Sequence, residues 1–345
     1  MRILIDAMSG DNAPLEVLRG VEIAHHEYPE HTLVLVGDEN VISDVAVKNE
    51  IDISDIEILH SDSVITMEDS PLCVIREKRD SSMGVGLKAL SKGGGDAFVS
   101  AGNTGALITG ATIIVRRIPG INRAAIASVL PLGNPVMLMD SGANLTVTAD
   151  NICQFAFMGA KYMEKIYGID RPRIGLLNNG TEYNKGNALQ IESYQHLSDS
   201  GLEFVGNVEG KAVPFDVCDV LVTDGYTGNI FLKSVEGMGK FMLATLKEVL
   251  TTNIVTKVST LTMGEKIKEL KQRFDANEHG GAPLLGISKP VIKAHGSSDA
   301  NAIKNAIRQA IYFVETGINE EIIAFAADYE EKKLLADAEK FYTEN

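Results

Sequence analysis

Short apolar runs recur along the chain, separated by longer stretches of helical periodicity. Residues 3–5, 32–36, 97–100, 136–139, 174–177 and 220–223 are apolar almost throughout, which suits strands covered on both faces. Segments 15–27, 105–116, 149–167, 188–197, 228–250, 300–316 and 320–341 carry apolar residues at helical spacing. Strand and helix alternate, so the pattern predicts a mainly parallel sheet with helices on both faces. No short-period repeat or low-complexity linker interrupts it. The simplest organisation is one α/β unit over 1–345, with a helical segment near 240–280 projecting from it.

The carboxyl ends of these strands are polar and glycine-rich. Five of them run into Asp6-Ala7-Met8-Ser9-Gly10, Ser100-Ala101-Gly102-Asn103-Thr104-Gly105, Asp140-Ser141-Gly142-Ala143-Asn144, Asn178-Asn179-Gly180 and Thr223-Asp224-Gly225-Tyr226-Thr227-Gly228-Asn229. In open parallel sheets ligands bind beyond the carboxyl ends of the strands. Glycine lets backbone approach a ligand closely, and Asn and Thr offer uncharged hydrogen bonds. One such turn is ordinary, because Gly, Asn and Asp are turn residues. Five on one edge predict a ligand site.

The 100–105 turn leads directly into an apolar helix, so its N–H groups and the helix dipole suit a phosphate. It is not a Walker A loop. Gly84-Val85-Gly86-Leu87-Lys88-Ala89 fits a loose dinucleotide pattern, but no strand precedes it, and it reads as a helix start. Lys185, just beyond Asn178-Asn179-Gly180, is a cation that can hold phosphate or a developing oxyanion; alone it reads as an exposed loop lysine. His295 can bind an anion or orient a partner, and equally cap or fill a core. His25, His26 and His31 show no metal spacing. No serine elbow occurs, so the chain offers donors and glycines but no protein nucleophile. The nucleophile then belongs to the substrate.

Composition narrows the partners. The 345-residue chain is 45% hydrophobic and 23% charged, enough for a substantial core. A formal charge of -15 argues against general nucleic-acid binding. Yet Lys257, Lys266, Lys268, Lys271 and Arg273 cluster with only two acids among them, a patch that fits an acidic partner or an anionic membrane, or else a solvated helix face. Cys73, Cys153 and Cys218 are isolated and read as reduced core thiols. The opening residues read as a strand entering a polar loop rather than as a secretion signal, and no apolar run reaches bilayer length.

Taken in order, these segments resemble the phosphate acyltransferase family of fatty acid and phospholipid synthesis. Beside the five turns, the resemblance rests on Lys185-Gly186-Asn187, Gly206-Asn207-Val208-Glu209-Gly210, Gly280-Gly281-Ala282-Pro283-Leu284-Leu285-Gly286 and His295-Gly296-Ser297-Ser298. It covers nearly the whole chain. Ser9 stands where Gly is more usual, and Arg123-Ala124 where Arg-Pro is common. The resemblance implies a three-layer αβα fold like that of phosphotransacetylase and the isocitrate and isopropylmalate dehydrogenases. It implies a homodimer with no cofactor, metal or nucleotide, working in the cytoplasm with optional peripheral membrane contact. The reaction it implies moves a long-chain acyl group from acyl carrier protein to inorganic phosphate, for use by a membrane glycerol-3-phosphate acyltransferase.

Under that resemblance Lys185 and Asn229 are the catalytic pair. Asp6, Gly10, Ser100, Gly102, Asn103, Thr104, Gly105, Asp140, Asn144, Asn178, Asn179, Asp224, Thr227, Gly228 and His295 are the candidate phosphate or substrate contacts. Residues 254–271 are left to carrier protein, membrane or the other subunit. Fold alone leaves open a short-chain enzyme using coenzyme A thioesters.

Overall fold

The computed structural model describes residues 1–132, 134–252, 264–273 and 280–343. Where one unit was expected, the chain divides into two compact units. The first comprises Met1–Ile126, Lys161–Ile169 and Gly281–Asn345; the second comprises Ala127–Ala160 and Asp170–Gly280. Strand pairing explains the division, because each unit has its own sheet.

The first unit is built on β1 (Arg2–Asp6), β2 (Thr32–Gly37), β3 (Glu57–His60), β4 (Ala97–Ser100), β5 (Ala125–Ile126), β11 (Ala282–Leu285) and β12 (Val291–Lys293). The sheet order is β3-β2-β1-β4-β12-β11-β5. From β3 to β12 all neighbours are parallel, and β11 runs antiparallel to both β12 and β5. Ile3, Leu4 and Ile5 are all buried; successive side chains point to opposite faces, so both faces of the sheet are covered. Helix α1 (Leu15–Glu27) packs on α9 (Ala300–Glu315) at Gly20, where a Cβ would stand 2.7 Å from the Ala300 carbonyl oxygen. Helix α3 (Ser82–Ser91) starts two residues before the 84–89 glycine pattern, which falls within its first turns. Ser81 caps it by accepting from the Gly84 N–H, and Gly86 makes room for the ring of Phe98. Its glycines serve helix–sheet packing.

The second unit has β6 (Ser128–Leu130), β7 (Val136–Met139), β8 (Arg173–Asn178), β9 (Glu203–Glu209) and β10 (Val220–Val222) in the order β6-β7-β10-β8-β9. Only β6 is antiparallel. Leu130, Val136, Leu138, Leu177, Val208, Leu221 and Leu232 form one buried cluster here. Most predicted elements occur within a residue or two of their expected ends, α5 (Ala149–Tyr167) among them. Helix α4 (Thr104–Gly110) passes into a wider π-type turn over Ala111–Arg116, so the predicted 105–116 helix is one segment of two geometries. Helix α7 (Gly225–Thr251) begins three residues before the predicted start, because Asp224 caps it.

The five polar strand ends therefore do not share one edge. Those of β1 and β4 belong to the first sheet, and those of β7, β8 and β10 to the second. Part of the 240–280 segment expected to project lies outside the described residues. Within it α7 runs to Thr251, and α8 spans Gly264–Arg273.

Candidate active site

In the first unit the strand-end side chains mostly hold one another. Asp6, at the end of β1, is 1% exposed. Its carboxylate accepts from the Ser100 hydroxyl at 2.7 Å, and that hydroxyl accepts from the Gly102 N–H at 3.1 Å. Burial pushes the Asp6 carboxyl above its ordinary range, against the nearby hydroxyls of Ser82, Ser100 and Ser9. Asn103 is the N-cap of α4 and accepts from the Ala106 N–H at 3.0 Å. Its amide NH2 is directed at the carbonyls of Thr66, Met67 and Asp69. Gly10 adopts φ +119°, and a Cβ there would meet Ala101 and the Gly296 carbonyl. Gly105 admits the Pro71 ring. Thr104 is exposed at the first position of α4. His295 is exposed, and its Nδ1 lies 3.3 Å from the Ser297 backbone nitrogen and 2.9 Å from the Ser297 hydroxyl.

The second unit combines a rigid turn with uncommitted side chains. Asp140 is fully buried at the end of β7. One carboxylate oxygen accepts from the N–H groups of Gly142 and Ala143 at 3.1 and 3.0 Å. The other accepts from the backbone and side chain of Asn144 at 2.6 and 2.9 Å. Burial raises the Asp140 carboxyl, opposed by these four donors. Asp140 and Asn144 thus shape the turn between them.

The start of α7 rests on that turn. The Gly225 N–H donates to the Asn144 carbonyl at 2.8 Å, and a Cβ on Gly228 would stand 1.9 Å from the Asp140 carbonyl oxygen. Only glycine fits there. Asp224 accepts from the N–H and hydroxyl of Thr227 at 2.8 and 2.7 Å, so this pair closes the cap. Asn229 lies on the second turn of α7. It is exposed, and its amide oxygen lies 3.6 Å from where a Gly142 Cβ would be. Among the described residues that amide has no hydrogen-bond partner.

Lys185 lies on the loop between β8 and α6 (Ala188–Ser198). Asn178 donates to its carbonyl at 3.1 Å, and Asn207 donates to the Glu182 carbonyl at 2.7 Å. These two asparagines hold the loop's backbone; Asn178 also caps the Asn179 N–H. The Lys185 ammonium remains about half exposed, with Glu182 at 4.0 Å. Asn179 is exposed beside it.

Within each unit the structure gathers its predicted residues at the carboxyl ends of its strands. Of the charged patch, Lys266 is exposed, Lys268, Lys271 and Arg273 belong to α8, and Lys257 lies outside the described residues. The sequence reading missed the loop holders Asn207, Lys78 and Asp69. Asn207 stands in the 206–210 motif without an assigned role, and nothing local marks the other two. Among the described residues no cluster of metal-ligating type occurs, and no helix is long and apolar enough to cross a membrane.

Comparison with known proteins agrees with this architecture. A phosphotransacetylase from Streptococcus pyogenes superposes with a TM-score of 0.58 at 18% identity, over 93% of this chain and 94% of that one, a likeness of fold. A phosphate acyltransferase of Thermoanaerobacter pseudethanolicus is 45% identical over 319 residues, 92% of this chain and 95% of the relative. A phosphate acyltransferase of Caldanaerobacter subterraneus is 45% identical over 90% of this chain and 92% of its own length. The model of the family described as "Fatty acid synthesis protein" matches residues 1–321. By sequence over nearly its whole length, and by a fold whose strand ends gather the residues that carried the resemblance, the chain belongs to the fatty acid synthesis protein family.

Proposed function

We propose that this enzyme is a phosphate acyltransferase that moves a long-chain acyl group from the thioester of acyl carrier protein to inorganic phosphate. The observation that carries the site is the Asn229 amide, exposed and without a partner among the described residues, seated against the carboxylate-held 140–144 turn. A polar group held by rigid backbone and not committed to other protein groups is poised to meet charge that develops on a substrate.

Phosphate supplies the nucleophile. One of its oxygens attacks the thioester carbonyl carbon, the carbonyl oxygen takes the charge, and collapse breaks the carbon–sulfur bond. The products are acyl-phosphate and the carrier's pantetheine thiolate. Phosphate is already anionic near neutral pH, so no strong base is required. The thiol's pKa is close to that of cysteine, about 8.5, so the thiolate leaves without obligatory acid help. Lys185 and Asn229 stabilise the negative charge of phosphate and of the tetrahedral oxyanion. Thr104 and His295, exposed at the strand ends of the first unit, are that unit's own candidate anion contacts.

Acyl carrier protein is acidic, as is this chain, so docking needs a local basic surface. Lys266 and its neighbours on α8 are suited to it. The working form is a homodimer that hands acyl-phosphate to a membrane acyltransferase, with peripheral membrane contact.

The test is direct. Purified protein is given palmitoyl-acyl carrier protein with and without phosphate, and acyl-phosphate and free carrier thiol are followed. Phosphate-dependent release, lost in Lys185→Ala and Asn229→Ala, is expected. Turnover of acetyl-coenzyme A with none of the carrier-bound donor would replace this reading with the short-chain one.

A further inference from the structure

The loop that carries Lys185 also carries an anion of its own. Glu182 stands three residues earlier, and one of its carboxylate oxygens lies 4.0 Å from the Lys185 ammonium. Among the described residues no other acid pairs with that ammonium. Most exposed pairs of this kind join two mobile side chains and are worth little. Here the backbone beneath the pair is fixed. The Glu182 carbonyl accepts from the Lys185 N–H at 3.1 Å and from the Asn207 amide at 2.7 Å. Asn207 stands on β9 and is 6% exposed, so Glu182 is tied to the sheet. Asn178, at the end of β8, donates to the Lys185 carbonyl at 3.1 Å. Both ends of the three-residue step are thus pinned by strand residues.

Gly180 brings the two side chains together. A Cβ there would stand 2.9 Å from the Lys185 Cγ and 3.0 Å from the second Glu182 carboxylate oxygen. Acid and base therefore lean over one glycine, which leaves room for both. This placement bears on the chemistry. Phosphate hydrogen-bonded to the Lys185 ammonium comes within about 7 Å of the Glu182 carboxylate, inside the Debye length of about 8 Å at physiological salt. A dianion feels that repulsion twice over. The acid–base contact is itself about half exposed and correspondingly weak, so an arriving phosphate can displace it.

We propose that Glu182 is the counter-ion of Lys185 that inorganic phosphate displaces, and that it sets how much phosphate the site needs. The inference rests on the acyl-transfer reading above and adds the residue that tunes its phosphate affinity. Glu182 is a positioning residue, acting through the Lys185 ammonium and the field around it. It takes no proton from phosphate, and no bond to it forms or breaks.

The test uses the full chain with saturating palmitoyl-acyl carrier protein and varied phosphate. Glu182→Gln removes the charge and keeps the shape. It should lower KM for phosphate about three- to tenfold with kcat nearly unchanged, since the change lies in binding. Glu182→Asp keeps the charge, one methylene shorter, and should retain most of the unsubstituted KM. Glu203→Gln removes an acid from the amino end of β9, about 20 Å away along the strand, and should leave KM alone. In 1 M sodium chloride, where the Debye length is about 3 Å, Glu182→Gln and the unsubstituted protein should converge. If Glu182→Gln fails to fold, Glu182→Ala removes the same charge and is read the same way. An unchanged KM in Glu182→Gln, or an equal fall in Glu182→Asp or Glu203→Gln, overturns the inference. So does a fall in kcat, which loss of a proton acceptor would give. Phosphate titration followed by phosphorus NMR, without acyl donor, reads the same shift in affinity. Absence of phosphate-dependent release by the unsubstituted protein would remove the acyl-transfer reading, and the titration would still decide whether Glu182 competes with phosphate.

Discussion

The two units use the same turn residues to different ends. In the first, Asp6, Ser100 and Asn103 are buried and bonded to one another or to neighbouring backbone. In the second, a buried carboxylate again organises a turn, but the Asn229 amide and Lys185 ammonium beyond it stay exposed. Asn103 and Asn229 make the difference plain. Both come after glycine-rich strand ends at a helix start. One spends its oxygen on a cap and its nitrogen on three carbonyls, and the other, a turn further along its helix, has the capping done by Asp224. A polar residue is available for chemistry only where another residue has already satisfied the backbone. Substitutions in the first unit should then cost stability, and those at Lys185 and Asn229 should cost rate.

The largest effect belongs to the scaffold under the chemistry. Gly228→Ala drives a Cβ to 1.9 Å from the Asp140 carbonyl oxygen, where no flexible side chain can yield. Overpacking against main chain should cost about 3 kcal/mol or more and detach α7 from the 140–144 turn. Calorimetric melting would register it as a large fall in Tm. A melt like that of the unsubstituted protein would break the picture of α7 seated on that turn.

Next come the exposed groups. Lys185→Ala and Asn229→Ala should each lower kcat/KM about 10²–10³-fold, the usual cost of an oxyanion donor. Their Tm should hardly move, since the ammonium is half exposed and the amide has no partner among the described residues. Loss of stability without loss of rate would put Asn229 in the class of Asn103.

Ser100→Ala should show the opposite signature. It leaves the buried Asp6 carboxylate without its 2.7 Å hydroxyl donor. Stability should fall by about 1–3 kcal/mol, the cost of an unsatisfied buried group. Urea unfolding would measure it. A rate defect at full stability would instead make Ser100 a ligand.

Much of this was legible in the sequence, and the physical reason is consistent. Strands of a parallel sheet covered on both faces, such as Ile3-Leu4-Ile5, advertise themselves as unbroken apolar runs. Helix α2 (Glu39–Lys48) and β9 did not: one is short and weakly apolar, and the other alternates around Gly206 and Asn207. The division into two sheets was invisible because it depends on pairings such as Ile292 with Val99, far apart in the chain. The positions of the chemistry-bearing turns were readable from composition alone. Their fates were not. The partners that occupy Asn103 lie 34 to 37 residues away, and no local pattern announces them.

The smallest expected effect tests the outermost layer of the first unit's scaffold. The hydrogen bond from Lys78, with those from Thr66, holds the Asp69 carboxyl down at about 2. A carboxylate depressed in the folded state adds stability that is complete above its unfolded value, near 3.9, and is lost as pH falls toward the folded value. Between roughly pH 4 and pH 2 the Asp69–Lys78 contact should therefore loosen. Because the group is solvent-accessible, most of the change should stay local. Amide exchange at Thr66, whose N–H donates to Asp69, should accelerate in that window before the sheet residues do. Lys78→Met should bring the same acceleration to neutral pH. If Thr66 exchanges at one rate from pH 4 to pH 2, the pair does not hold the 66–69 bend, and the Asn103 amide fastens it alone.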